Sequence, residues 1–312
     1  MSKPKKERKK FRLFDMNRDG PGVSKDEKSF VPNLISMPKF YIRNFTRILS
    51  LNFLTLPLIV IPLIALYIYI TRPTTTSQTS VLYSTLFGSQ MIGQTTSFAP
   101  LLGVYGIQLE LPTFTPGIIW VFILLFVVLA SVWGLVHVGA TYCTRGMLRG
   151  DPVFMTSDFF YAIKKNWKQG LILGYIDFAI ICVLIYDFVY FSMRGGTFQL
   201  DLFYFVTIAL VVIYFFMRFY IYLLLITFDI KIFKLLKNAL IFSILGIGRN
   251  LMGFAGMFVL ILINVLLAIA FWPLKIVVPL ILPLVYLIPS IILLSTYGAY
   301  PVIEKYMIKT DS

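Results

Sequence analysis

Long apolar runs separated by short charged segments organise this chain. Six runs, at about 48–70, 117–139, 171–191, 202–226, 251–272 and 276–297, are each long enough to cross about 30 Å of hydrocarbon as helix. The pattern predicts an all-α, polytopic transmembrane bundle of about six spans, covering 48–298. Pro57 and Pro62 are placed to bend the first span, and Pro279, Pro283 and Pro289 predict a kinked or broken sixth. Neighbouring helices must then satisfy the carbonyls those prolines release.

Charge adds the orientation. Of the 28 Lys and Arg residues, 13 precede residue 48. Short segments at 140–170, 227–250 and 298–312 hold most of the others, whereas the alternate connections contain only Arg72, Arg194 and Lys275. By the positive-inside rule both termini are cytoplasmic, with 1–47 an inner arm, 71–116 an external loop and 299–312 an inner tail. About 47 polar and basic residues precede the first run, which therefore reads as a retained span and not a cleaved signal.

Within the arm, residues 1–10 predict a basic, disordered segment lying on anionic headgroups, and Gly20-Pro21-Gly22-Val23 breaks any helix. From Lys39 to Arg47 the apolar positions Phe40, Ile42, Phe45 and Ile48 oppose Lys39, Arg43 and Arg47, predicting a short interfacial helix. The 71–116 loop carries just two charges, Arg72 and Glu110. So apolar a loop is expected to pack on the outer mouth of the bundle or to re-enter it.

Two inner segments look alike. In the first, Thr156, Ser157 or Asp158 can cap a helix on which Phe159, Ile163 and Trp167 form a stripe widened by Phe160, with Lys164, Lys165 and Lys168 elsewhere and Asn166 near its end. In the second, Lys231, Phe233, Lys234, Lys237 and Asn238 follow Asp229 in the same manner. Both predict interfacial helices, which either float at the headgroups or dock a cytoplasmic partner. Their similarity is compatible with a duplicated hairpin or with the common look of short basic loops.

A hydrophobic fraction of 58% with only 13% charged residues falls well below the roughly one-quarter charged content of soluble domains. The net charge of +14 does not imply nucleic acid, because the basic residues do not interleave with aromatics in a polar domain. Cys143 and Cys182 read as small embedded side chains, and one histidine, His137, leaves little for a metal site or a Ser–His–Asp triad. No cofactor and no enzymatic activity are expected.

Ionisable residues inside spans require partners. Asp177 and Arg218 lie at similar distances from the inner ends of spans three and four, predicting an intramembrane ion pair. Its expected role is a structural clamp, with a substrate or proton path the alternative. In a clamp, removing one partner destabilises and a paired apolar replacement is tolerated. His137 is expected to hydrogen-bond between helices, as is Asn264.

The loop motifs carry a family resemblance. Gly20-Pro21-Gly22-Val23 with Lys25-Asp26-Glu27, the stretch Gly139-Ala140-Thr141-Tyr142, Arg145, Arg149-Gly150-Asp151-Pro152, Ser157-Asp158-Phe159-Phe160, Lys165-Asn166-Trp167 and Lys237-Asn238-Ala239-Leu240 resemble the YesL-like bacterial integral membrane proteins (domain of unknown function 624). That resemblance runs from about residue 20 to 306. It implies a multi-pass protein of the plasma membrane in Gram-positive bacteria. It further implies a role beside carbohydrate ABC importers and polysaccharide breakdown, as an accessory or regulatory subunit of oligosaccharide uptake. No catalytic residues carry over.

Three functions follow. The first is a non-enzymatic accessory or scaffold bound to ABC importer permease subunits. It is not itself a recognisable permease or ATPase, because the loop that receives the ATPase and the phosphate-binding Gly-x-x-x-x-Gly-Lys-Ser/Thr loop do not occur. The second is a stand-alone small-solute transporter or channel. The third, a membrane enzyme, lacks paired carboxylates, a metal cluster or an activated nucleophile.

Overall fold

The computed structural model describes residues 32–76, 110–271, 273, 275 and 278–308. The basic arm at 1–10, the Gly20–Val23 break, the interior of the 71–116 loop and the end of the inner tail lie outside the described residues.

Nine α-helices, one two-stranded ribbon and a closing π-helical turn (Glu304–Ile308) are the regular elements of the described residues: α1 (Met37–Arg43), α2 (Phe45–Thr55), α3 (Pro57–Thr71), β1 (Thr74–Thr76), β2 (Glu110–Pro112), α4 (Pro116–Arg149), α5 (Met155–Met193), α6 (Phe198–Thr227), α7 (Ile232–Leu245), α8 (Ile247–Phe271) and α9 (Val278–Ile303). Among the described residues five helices are long and apolar enough to cross a membrane, and α2 with α3 makes a sixth if that pair, bent by 50° across Leu56, is one span. The chain is a multi-pass helical membrane protein.

Helix replaces much of what the pattern predicted as connection. α4 runs ten residues past the expected end of its span and stops where Gly150 adopts φ 79°, the left-handed conformation that glycine accepts at a helix C-terminus. α5 joins the predicted interfacial helix to the third span and kinks at Asn166 (φ −115°, ψ 19°). Pro283 and Pro289 lie inside α9 without interrupting it, so that, of a kinked or broken sixth span, the break does not occur. The Asn52 amide donates to the carbonyl of Leu284, beside Pro283, at 3.2 Å.

α9 is the central post. Half of its apolar stretch is buried, against 6% to 22% for α4, α5, α6 and α8, whose outer faces carry the Leu, Ile, Val and Phe side chains suited to lipid. α8 crosses α9 at small residues: a methyl on Gly253 would come within 2.9 Å of the Leu294 carbonyl, and one on Gly298 within 2.8 Å of the Arg249 carbonyl.

The segment expected as a short interfacial helix packs along α9. Met37, Phe40, Asn44, Ile48 and Leu51 form its buried stripe, whereas Ile42 is 73% exposed. Tyr41 hydrogen-bonds Ser290 at 2.8 Å, and the Phe45 ring meets Tyr286. Ahead of α1, the Tyr297 hydroxyl donates to the Asn33 carbonyl at 2.8 Å and bonds the Ser36 hydroxyl at 2.9 Å, and Arg249 donates to the Pro32 carbonyl. Apolar burial and satisfied main-chain groups hold this helix against α9.

The ends of the 71–116 loop close on each other. β1 and β2 pair antiparallel with Thr74 opposite Pro112 and Thr76 opposite Glu110. Next to the ribbon, the Arg72 guanidinium lies 3.9 Å from the Tyr69 ring centroid and 4.6 Å from that of Phe114, so the loop's one cation is held on aromatic faces.

Candidate functional site

Glycines set the depth at which charges meet. A Cβ on Gly134 would lie 2.1 Å from the Gly170 carbonyl and 2.5 Å from the Gly174 Cα, so α4 and α5 touch main chain to main chain. That contact brings Trp133, next to Gly134, over Asp177, three residues beyond Gly174. On α6, Tyr214, Arg218 and Tyr222 recur every fourth residue and present one face to the same point.

Asp177 is fully buried and forms the ion pair with Arg218, Nε to Oδ1 3.0 Å; the arginine side chain retains 26% of its exposure. Three more donors complete the carboxylate: Tyr214 Oη to Oδ1 at 2.7 Å, Tyr222 Oη to Oδ2 at 2.7 Å and Trp133 Nε1 to Oδ2 at 2.8 Å. His137 joins from α4. Its Nδ1 lies 2.8 Å from the Trp133 carbonyl and its Nε2 3.3 Å from Arg218 Nη2. A carbonyl only accepts and a guanidinium only donates, so the ring carries its proton on Nδ1 and offers the Nε2 lone pair to Arg218. The ring also stacks on Tyr222, centroids 5.0 Å apart.

Six side chains from α4, α5 and α6 thus form one polar knot inside an apolar bundle. Four donors saturate the carboxylate, and this satisfaction permits a charge at that depth. The pattern along the sequence exposed Asp177, Arg218 and His137 as charges needing partners. It did not single out Trp133, Tyr214 and Tyr222, whose signal was the spacing of four that ties them to His137 and Arg218. Asn264, on α8, donates to the Tyr286 hydroxyl of α9 at 2.6 Å.

The inner-face residues divide differently from expectation. Asp158 accepts from the Phe154 main-chain N–H at 2.8 Å, which starts α5 a few residues before the expected cap. Phe159 is buried against Gly139, whereas Phe160 is 57% and Trp167 50% exposed. The kink at Asn166, whose amide donates to the Ala162 carbonyl at 3.1 Å, divides the predicted Phe159–Ile163–Trp167 stripe. Ile163 is half-buried, and Lys164 and Lys165 are exposed. In the second segment, Leu235, Ala239 and Phe242 face the core, Asn238 is half-buried, and Lys231, Lys234, Lys237 and Phe233 point outward, Phe233 being 89% exposed.

The two hairpins are also built differently. α4 and α5 cross at glycines, whereas α6 meets α8 through the rings of Phe215 and Phe216 on Phe254, and the glycine crossing of α8 is with α9. Both cysteines are free thiols, with Cys143 buried and Cys182 half-buried. Among the described residues no group of three or more His, Cys, Asp or Glu side chains is arranged to hold a metal.

No curated protein and no solved structure matches the chain. A family model described as "Protein of unknown function, DUF624" matches residues 116–188. The match spans α4 and most of α5, including the glycine crossing together with Trp133, His137 and Asp177. Over those two helices, the chain is similar to that family.

Proposed function

We propose that the protein is a non-enzymatic accessory, scaffold or regulatory membrane subunit of an ABC-type import system for carbohydrates, oligosaccharides in particular. It works in the bacterial plasma membrane with both termini inside. The observation that carries the reading is the closure of the polar knot. Asp177 has spent its oxygens on Tyr214, Tyr222, Trp133 and Arg218. A carboxylate so occupied clamps helices and does not bind a passing solute. The inner face, with its docked helices and outward lysines, is left to meet a partner. The link to carbohydrate import comes from the resemblance to the YesL-like proteins.

The test is to isolate the full-length protein from its native membrane in mild detergent and identify what accompanies it. Permease subunits of a carbohydrate importer in fixed stoichiometry are the expected result. Recovery alone, together with solute flux in liposomes containing only this protein, overturns the reading in favour of a stand-alone small-solute transporter or channel. One observation favours that second reading: Arg218 keeps 26% of its side-chain exposure while its partner keeps none, so a cation borders the open side of the knot.

A further inference from the structure

The kink in α5 creates a cavity that the polar knot does not use. It has a volume of about 520 Å³ and lies between the kink and the inner end of α6; its lining includes Lys164, Lys165, Trp167, Lys168, Thr227 and Asp229. The three lysines come from both sides of Asn166. Among the described residues none of them forms an ion pair, the pairs there being Arg149–Asp151 and Arg218–Asp177. The negative end of α6, which would otherwise oppose an anion, is already capped: Arg145 donates to the Ile226 carbonyl at 3.1 Å and to the Thr227 hydroxyl at 3.0 Å. Asp229 is the one acidic side chain in the lining and is exposed.

The cavity sits where α6 ends, which is where the span pattern and the loop charges put the inner membrane surface, and Trp167 beside it is half exposed, as an aromatic anchor at the headgroups would be. Three ammonium groups without an ion pair, that of Lys168 lying 5.5 Å from the Trp167 ring centroid, leave an excess of two positive charges over the one carboxylate. Lysines lining one cavity suit a phosphate group, each offering a point charge and three donors.

The geometry points to a phosphate-binding site lined by Lys164, Lys165 and Lys168, which takes the headgroup of an anionic phospholipid from the inner leaflet. The site goes beyond the accessory role and does not depend on it, although its leaflet follows from the orientation read from the loop charges.

The test uses the purified full-length protein in detergent and counts bound molecules by native mass spectrometry while phosphatidylglycerol, phosphatidylcholine or inorganic phosphate is added. A triple variant, K164Q/K165Q/K168Q, removes the site. A second, K231Q/K234Q/K237Q, removes equal charge from α7 and its approach while leaving the cavity intact. All six lysines are exposed, so neither set disturbs packing.

The expected result is one phosphatidylglycerol held by the wild type and by the second variant. The first variant should hold it on the order of a hundredfold more weakly, at about fivefold per lysine near a membrane surface. Phosphatidylcholine, without net charge, should bind less tightly than phosphatidylglycerol. Inorganic phosphate displacing the lipid at equal concentration assigns the same site to a soluble phosphate compound; failure to displace it assigns the site to the lipid. Equal loss in both triple variants reduces the effect to diffuse surface charge and overturns the site. Unchanged binding in the first variant overturns it as well, and leaves the lysines as a docking surface for an acidic protein segment.

Discussion

A methyl group placed on Gly174 would lie 2.5 Å from the Cα of Gly134. The two helices therefore meet where neither has a side chain, and Trp133 and Asp177 come into hydrogen-bonding range because of it. Gly134→Ala or Gly174→Ala is expected to force the helices apart, at a cost of about 1–3 kcal/mol or more. Gly117→Ala, at a position with open space around it, should leave stability unchanged. Thermal unfolding of the three variants in the same detergent makes the comparison; equal melting of all three contradicts the close crossing.

The knot changes what a charge-neutral replacement should do. Asp177→Asn or Arg218→Met alone breaks a buried pair and should cost about 3–5 kcal/mol. For an isolated clamp, replacing both with apolar residues would restore stability. Here the apolar pair leaves the donors of Trp133, Tyr214 and Tyr222 facing nothing, at about 1–3 kcal/mol each. The double variant D177L/R218M should therefore stay destabilised, and adding Tyr214→Phe and Tyr222→Phe should recover part of the loss. Chemical unfolding in mixed micelles measures the series; a fully stable double variant would show that the tyrosines contribute nothing.

Arg145 binds the inner ends of α4 and α6 through the Ile226 carbonyl and the Thr227 hydroxyl while lying 5.2 Å from the Tyr142 ring centroid. Arg145→Met keeps the apolar stem and loses both bonds, which one nitrogen (Nη1) makes, for an expected loss of about 1.5–3 kcal/mol. Arg145→Lys should recover part of it, because one ammonium can also serve two acceptors but its stem is shorter than that of arginine. Hydrogen exchange at residues 223–229 is the sensitive readout, rising in both variants and more in the methionine one.

Tyr297→Phe removes the hydroxyl that holds Asn33 and Ser36 but keeps the ring beside Phe40. Loss of roughly 1 kcal/mol of local hydrogen bonding should speed proteolysis ahead of Met37 by about fivefold. Global melting should barely move. Cleavage at the wild-type rate would show that Arg249 on the Pro32 carbonyl suffices to secure this segment.

The helical character of the chain was legible because bilayer thickness imposes long uninterrupted apolar runs. The depth match of Asp177 and Arg218 was legible for the same reason: depth along a span is a simple count of residues. Rotation about the helix axis is not such a count. Trp133, Tyr214 and Tyr222 entered the knot only through the angle at which α4, α5 and α6 face one another, and that angle depends on glycines whose packing partner lies in another helix. The packing partners of the amphipathic segments were hidden for a related reason. Phe40 and Phe159 satisfy the same pattern whether they meet lipid or protein, and Gly139 and α9 decided in favour of protein.

The bonds from Asn33, Ser36 and Tyr41 to the last helix give the chain a timetable. Tyr41 waits for Ser290, which lies 249 residues further on. At ribosomal speeds of about 5–20 residues per second, the first membrane segment stands without its permanent neighbour for roughly 10–50 s. During that interval Asn44 and Asn52, both buried in the finished protein, have neither α9 nor its carbonyls to shelter them. Whatever attends the nascent chain in the membrane must shield those polar groups until the final helix arrives, and a protein truncated before α9 would present them permanently to the cell's quality control.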